Sequence, residues 1–392
     1  MIDFRNPYTP GAGAMPKYLA GREDVLERAG MQLDALREGY KVRPVAFYGL
    51  RGVGKTVLLN SVEQLADDKE ILYRHIEIEG KKGLVKPLSS ACNAFALSLS
   101  TKEMLKDKIS KLKSVVSSFS ALWNAEDNTV SFGLDEHRLE SALACSGDLS
   151  SDLTEVFVAL GRSAIEAKSS ICFFLDELQY AKKDELEALV SALHRVSQLG
   201  LPITVFCAGL PKLLKSLGEA KTYSERLFEF VEIDSLPSDK AVDAIVKPAA
   251  DLDVSFDAAA VDAILAFSEG YPYFIQELCS SIWEEGSDRS VDASLVEHCI
   301  ELTNEKLDKG FFSVRYNRCT AAQKEFLIAM VRCGELPCTI ANVAMIMGRS
   351  VQSISPFRAQ LIDKGLVYAT GRGEIDFTVP HFDQFLERAT AE

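Results

Sequence analysis

Residues 49–56 read Gly49-Leu50-Arg51-Gly52-Val53-Gly54-Lys55-Thr56 and satisfy the pattern G-x-x-x-x-G-K-[ST] at every constrained position. Upstream, Pro44-Val45-Ala46-Phe47-Tyr48 reads as a short buried strand. Downstream, Val57-Leu58-Leu59-Asn60 opens a helical pattern that runs to about Ala66. Strand, glycine loop and helix in that order are the setting in which this loop binds phosphate. The glycines let backbone N–H groups turn inward around a polyphosphate, and the helix starting near Lys55 aims its positive end at it. Gly49, Leu50, Arg51, Gly52, Val53, Gly54 and Val57 are therefore expected to line the phosphates. Lys55 is placed to reach the β- and γ-phosphates, and the Thr56 hydroxyl to ligate Mg²⁺. A nucleoside triphosphate, ATP turning to ADP, is the expected ligand.

Further strand-like segments lie at 71–78, 171–175, 203–208 and 229–233, separated by helical patterns at 56–66, 87–100, 152–168 and 184–198. Strands alternating with helices imply an α/β fold, a mostly parallel sheet covered by helices on both faces. The strand at 171–175 runs straight into Asp176-Glu177. Placed beside the loop strand, Asp176 would hold Mg²⁺, and Glu177 would polarise a water for in-line attack on the γ-phosphate. Without the loop, the same pair would read equally well as a helix cap. Arg226, just before the strand at 229–233, could stabilise the charge of phosphoryl transfer across a subunit boundary, or form a surface ion pair with Glu225 or Glu229. The strand at 203–208 ends in Ala208-Gly209-Leu210-Pro211, so it offers no polar side chain to the γ-phosphate.

The 392 residues suggest two or three domains, and 47% hydrophobic with 26% charged residues is globular composition. No apolar run reaches membrane-spanning length, and MIDFRNPYTP lacks the basic start and apolar stretch of a secretory signal. Nine scattered cysteines, without a C-x-x-C pair, fit buried hydrophobes in a reducing cytoplasm. The net charge of −14 is uneven, because residues 315–392 hold nine Lys/Arg against eight Asp/Glu. A bulk negative charge repels bare nucleic acid, but that last segment does not share it. Lysines 81, 82, 86, 102, 106, 108, 111 and 113 form a run that reads as the solvated face of a helix or as a nucleic-acid contact, the former preferred.

Three domains are expected: a P-loop α/β domain over 1–235 with an insertion at about 101–150, an all-helical lid over 236–314, and a winged helix over 315–392. The insertion holds the lysine-rich helix and a short hairpin around 129–134. In the last domain Thr320 caps a helix, then 340–347, a Gly348-Arg349 turn and 350–364 make a helix–turn–helix. The hairpin LVYAT–GRGE–IDFTV follows. The helix at 350–364 is the candidate major-groove reader, with Pro356 able to kink it or shift its start.

Together these motifs resemble the AAA+ and STAND-related ATPases, particularly the archaeal and bacterial group similar to origin-recognition initiator ATPases. The resemblance rests on Gly21-Arg22-Glu23, the phosphate loop, Phe174-Leu175-Asp176-Glu177, Arg226, the lid and the winged helix, and covers nearly the whole chain. It implies that Tyr18, Leu19 and Ala20 lie against the adenine. It also implies a lid element at Gly270-Tyr271-Pro272 in which Pro272 packs on the nucleotide, although the segment reads as well as a helix-starting turn. His381 occupies a place similar to that of an ADP-sensing histidine in STAND proteins, or is simply packed in. Two functions stay open. One is an ATP-dependent homo-oligomer that binds double-stranded DNA through residues 340–380. The other is a nucleotide-gated protein–protein switch, with an unidentified protein partner, whose winged helix clamps the nucleotide.

Overall fold

The computed structural model describes residues 2–11, 13–80, 82–100, 109–123 and 144–391. They form two compact units: Arg22–Gly49 with Lys55–Ile233, and Met1–Gly21 with Leu50–Gly54 and Asp234–Glu392. Residues up to Gly21, which precede the sheet in sequence, thus pack in the second unit.

The first unit is built on a five-stranded parallel sheet. Its elements in chain order are α1 (Glu23–Arg37), β1 (Val45–Tyr48), α2 (Lys55–Asp68), β2 (Leu72–Glu77), α3 (Val85–Ser100), α4 (Ile109–Trp123), α5 (Leu149–Glu166), β3 (Ile171–Asp176), α6 (Lys183–Leu199), β4 (Ile203–Gly209), α7 (Lys212–Ala220), α8 (Ser224–Leu227) and β5 (Glu229–Glu232). The strand order is β2-β3-β4-β1-β5, with every pairing parallel. Every residue of β3 and β4 is buried, which is why both read as near-continuous apolar runs, with Thr204 inside β4 and Asp176 closing β3, rather than alternating ones. Consecutive side chains of β3 face opposite layers. Phe173 meets Phe95 and Phe157 at 5.0 and 5.1 Å, whereas Phe174 stacks on Phe206 at 5.8 Å.

The stretch expected as an insertion is partly described. Helix α4 buries Leu112, Val115, Val116 and Phe119 while Lys111 and Lys113 stay exposed, the amphipathic arrangement read from its spacing. The ring nitrogen of Trp123 donates to buried Asp152 on α5 (3.2 Å), whose carboxylate also takes the Ser146 and Gly147 amides. The hairpin expected around 129–134 and lysines 81, 102, 106 and 108 lie outside the described residues.

The second unit continues with α9 (Ser238–Ala250), β6 (Ser255–Phe256), α10 (Ala258–Ser268), α11 (Pro272–Glu285), β7 (Ser290–Val291) and α12 (Ala293–Lys306). The all-helical expectation needs correction here, since β6 and β7 pair in parallel. Two-residue strands carry no periodicity to read. The N-terminal segment lies on these helices: Ile2 N–H donates to the Trp283 carbonyl (2.9 Å), Trp283 Nε1 donates to the Asp3 carbonyl (2.8 Å), and the Tyr8 hydroxyl donates to Ile245. After a π-helical turn at Leu307–Phe312 come α13 (Ser313–Tyr316), α14 (Ala321–Val331), β8 (Cys338–Thr339), α15 (Ile340–Ile346), α16 (Val351–Asp363), β9 (Val367–Tyr368), β10 (Glu374–Phe377) and α17 (Phe382–Ala391). Thr320 caps α14 through a box with Gln323, and Ser350 caps α16. Helix α16 runs through Pro356, which forgoes one N–H bond to the preceding turn. The hairpin β9–β10 gains β8 as a third antiparallel strand.

Candidate phosphate and hydrolysis site

In the sheet unit, the end of β1 is tied to the end of β4 by Gly49 N–H on the Gly209 carbonyl (3.3 Å). Helix α2 then opens at Lys55. Its second residue, Thr56, donates its hydroxyl to Asp176 Oδ2 at 2.7 Å. The acidic strand, taken from sequence to lie beside the loop strand, is not its direct neighbour. Instead β4 lies between β1 and β3, and it is the first turn of α2 that meets Asp176. A hydroxyl and a carboxylate, both hard oxygen donors, fit the sparse protein ligation that Mg²⁺ takes beside substrate phosphates. No cluster of three or more acidic, histidine or cysteine ligands occurs among the described residues.

Asp176 is 5% exposed, and its other oxygen accepts the Glu177 N–H at 2.8 Å. Glu177 takes a left-handed conformation, φ 54°, as the chain leaves β3 for a 3₁₀ turn at Leu178–Tyr180. This conformation is costly for a residue with a Cβ and is characteristic of functional sites. The side chain of buried Gln179 then engages both sides. Its Nε2 donates to Glu177 Oε2, and its Oε1 accepts the Leu210 N–H at 3.1 Å. On β4, burial pushes the Cys207 thiol up, with the Asp176 charge adding to it, so this cysteine is an inert part of the floor.

The tip of the loop belongs to the other unit. Gly52 and Gly54 have φ of 86° and 90°, which the loop's inward turn requires. Arg51 N–H donates to the Thr378 carbonyl at 3.3 Å, and Arg51 Nε to the Gly365 carbonyl at 3.4 Å. Tyr273 N–H, at the start of α11, donates to the Gly52 carbonyl at 3.3 Å. A Cβ on Gly52 would sit 3.2 Å from that of Tyr273. Pro272 is the first residue of α11, a position where its missing N–H costs nothing. Burial pushes the neighbouring Tyr271 phenol well above its ordinary value, the nearby carboxylate of Asp234 adding to it.

His381 is packed in. Its ring stacks on Phe267 (5.5 Å, 12°), meets Phe274 at 5.0 Å, and its Nε2 bonds the Phe267 carbonyl at 2.8 Å. That bond assigns the proton to Nε2. Tyr18 and Leu19 are half-buried and Ala20 buried, with Tyr18 and Ala20 packed among the helices of this unit. Lys247 lies over the Tyr18 ring and donates to its hydroxyl at 2.9 Å. Arg226 is exposed on α8. Glu229 is taken instead by Arg28 and Gln32, and Arg226 has no ion-pair partner among the described residues. β5 is in register with β1 from Glu229↔Val45 to Glu232↔Tyr48, so Arg226 lies at the sheet end away from Gly49, roughly 13 Å or more along the strand.

Thr56, Asp176 and Glu177, expected to work together, are neighbours in the sheet unit, whereas Gln179, Gly365, Thr378 and Tyr273 were not among the residues expected at the site. Only Gln179 had a signal, a polar residue in an otherwise apolar turn directly after the acidic pair. The other three act through main-chain atoms, which any residue supplies.

Residues 18–206 match the family model described as AAA ATPase domain, and residues 309–386 match one described as a domain of unknown function (DUF8462). No curated protein matches the chain. Among solved structures the chain is similar to the Walker-type ATPase PABY2304 of Pyrococcus abyssi, at TM-score 0.57 and 13% identity over 98% of this chain and 99% of that one. It is similar also to the Aeropyrum pernix Orc1 protein in complex with DNA (TM-score 0.48, 14% identity, 96% and 94% covered). A third is the Thermotoga maritima RuvB Holliday junction branch migration motor (TM-score 0.46, 18% identity, 96% and 99% covered). At 13% identity the likeness to PABY2304 is one of fold.

Proposed function

We propose that this chain, whose residues 18–206 match the AAA ATPase domain family, is a nucleotide-binding ATPase that works as a switch whose C-terminal unit follows the state of the phosphate loop. The observation that carries this reading is the pair of Arg51 bonds to Thr378 and Gly365, with Tyr273 on Gly52 beside them. A loop that rearranges around phosphates must move the groups hydrogen-bonded to its tip, so nucleotide and C-terminal unit are coupled by direct contact.

In this reading the amides of residues 49–57 and Lys55 hold the phosphates, while Tyr18 and Leu19 line the base. Pro272 starts the helix that rests on the loop. Thr56 and Asp176 hold Mg²⁺, which when bound neutralises charge on the phosphate oxygens. Glu177 orients a water and accepts its proton as the water attacks the γ-phosphorus, and ADP and phosphate leave. His381 serves the switch as a latch between α10 and the segment after β10. Arg226, exposed and distant from its own loop, completes the site of a neighbouring copy in a homo-oligomer.

A second reading, binding of double-stranded DNA through residues 340–380, is favoured by the outer face of α16. Gln352, Ser353 and Ser355 are exposed there, and Arg372 is exposed at the hairpin turn. The deciding experiment sizes the Glu177→Gln protein with ATP, ADP or no nucleotide, each with and without duplex DNA. A nucleotide-dependent change of compactness without DNA supports the switch. Salt-sensitive assembly only on DNA with ATP supports the second reading, and indifference to nucleotide refutes both.

A further inference from the structure

We propose that Gln179 is the positioning residue for Glu177, anchoring the carboxylate of the candidate base to the end of β4; the inference rests on the hydrolytic reading above. A glutamate reaches its carboxylate through three rotatable bonds, and its aim must be fixed by a partner if it is to hold a water in line. Glu177 spends its own N–H on Asp176, so its backbone is set by β3. The Gln179 amide, 3% exposed and bonded at both ends, donates to that carboxylate.

The orientation of that amide follows from its neighbours. Leu210 N–H requires an acceptor, which is Oε1, and this leaves Nε2 to donate to the carboxylate. The reverse orientation would set oxygen against oxygen and donor against donor. Space for the amide exists because position 209 is glycine, where a Cβ would lie 2.5 Å from Gln179 Oε1 and 2.9 Å from Leu213 Cδ2. The end of β4, which offers no polar side chain of its own, is thereby coupled to Glu177 through a main-chain N–H. Gln179 is a positioning residue and touches no substrate in this scheme.

The test measures single and multiple turnover of radiolabelled ATP with Mg²⁺ by the full chain. Gln179→Met keeps the volume and removes both bonds. It is expected to lower kcat at least about tenfold with KM within about threefold, and to change nothing further in a Glu177→Gln background. Gly209→Ala, which crowds the amide without altering it, is expected to do the same and serves if Gln179→Met fails to melt cooperatively. The proposal is overturned if kcat stays within about twofold of the parent, or if the loss is as large in the Glu177→Gln background, which would make it a general structural defect. Undiminished turnover in Glu177→Gln alone would instead sink the assignment of the base, a separate and distinguishable failure.

Discussion

His381→Ala probes the switch most directly. The native imidazole is 8% exposed, and it contributes one hydrogen bond to the Phe267 carbonyl and two ring contacts, to Phe267 and Phe274. A buried hydrogen bond of this type contributes about 1 kcal/mol. Each ring contact adds roughly 0.5–1.5 kcal/mol beyond area. Position 381 keeps its left-handed backbone, φ 60°, under either side chain, so alanine gains no relief there. The loss of about 3 kcal/mol, or roughly a hundredfold in a closed-to-open ratio, falls on the contact between α10 and the segment following β10. The assay is stopped-flow dissociation of fluorescent ADP. The alanine variant is expected to release it at least about tenfold faster, since part of the lost energy is expressed in the unit's own stability. His381→Phe, which keeps the stacking and loses only the hydrogen bond, should give about fivefold. A melting temperature lowered by roughly 6–12 °C with release within about twofold of the parent would refute the reasoning, because the latch would then hold the unit together without gating nucleotide.

Lys55→Ala should abolish nucleotide binding in equilibrium dialysis, whereas Glu177→Gln should bind ATP with near-parental affinity and lose turnover by about a hundredfold or more. Arg226→Ala should lower turnover only where protomers associate. Mixing it with Glu177→Gln should restore part of the activity, since each supplies the group the other lacks; mixtures as inactive as the parts would argue against a shared site. On β10, burial first, and the nearby Asp383 charge, raise Asp376 above its ordinary value of 3.8, against the lowering bond from Phe377 N–H. A carboxyl whose folded value is raised holds its proton longer than the unfolded chain does, so stability falls as pH climbs through that window. Asp376→Asn is therefore expected to melt above the parent at pH 7, with the gap closing below about pH 4; a gap independent of pH would refute the account.

The sheet was legible because its signals are local and redundant. Apolar runs at 171–175 and, but for Thr204, at 203–209 are near-continuous since both faces of β3 and β4 are covered, and helical spacing identifies α5, α6 and α16. Short elements were not, because β6, β7 and β8 have two residues each and are defined by their partners. The candidate site divides in the same way. Thr56 declares itself by side-chain type at fixed spacing from the glycines, and Asp176 and Glu177 by closing an apolar strand. Thr378 and Gly365 contact Arg51 through carbonyl oxygens and leave no trace in residue identity.

By itself the amino-acid sequence determined the phosphate loop, the acidic pair and the alternation of strands and helices, all of which are set within a few residues of chain by sterics, hydrogen-bonding capacity and burial. Tertiary structure alone decided that β4 separates β1 from β3, that Gln179 spans from Glu177 to Leu210, and that the tip of the loop packs with the C-terminal unit. Those relations join residues tens to hundreds of positions apart through main-chain atoms and vacated space, for which no residue type is a marker.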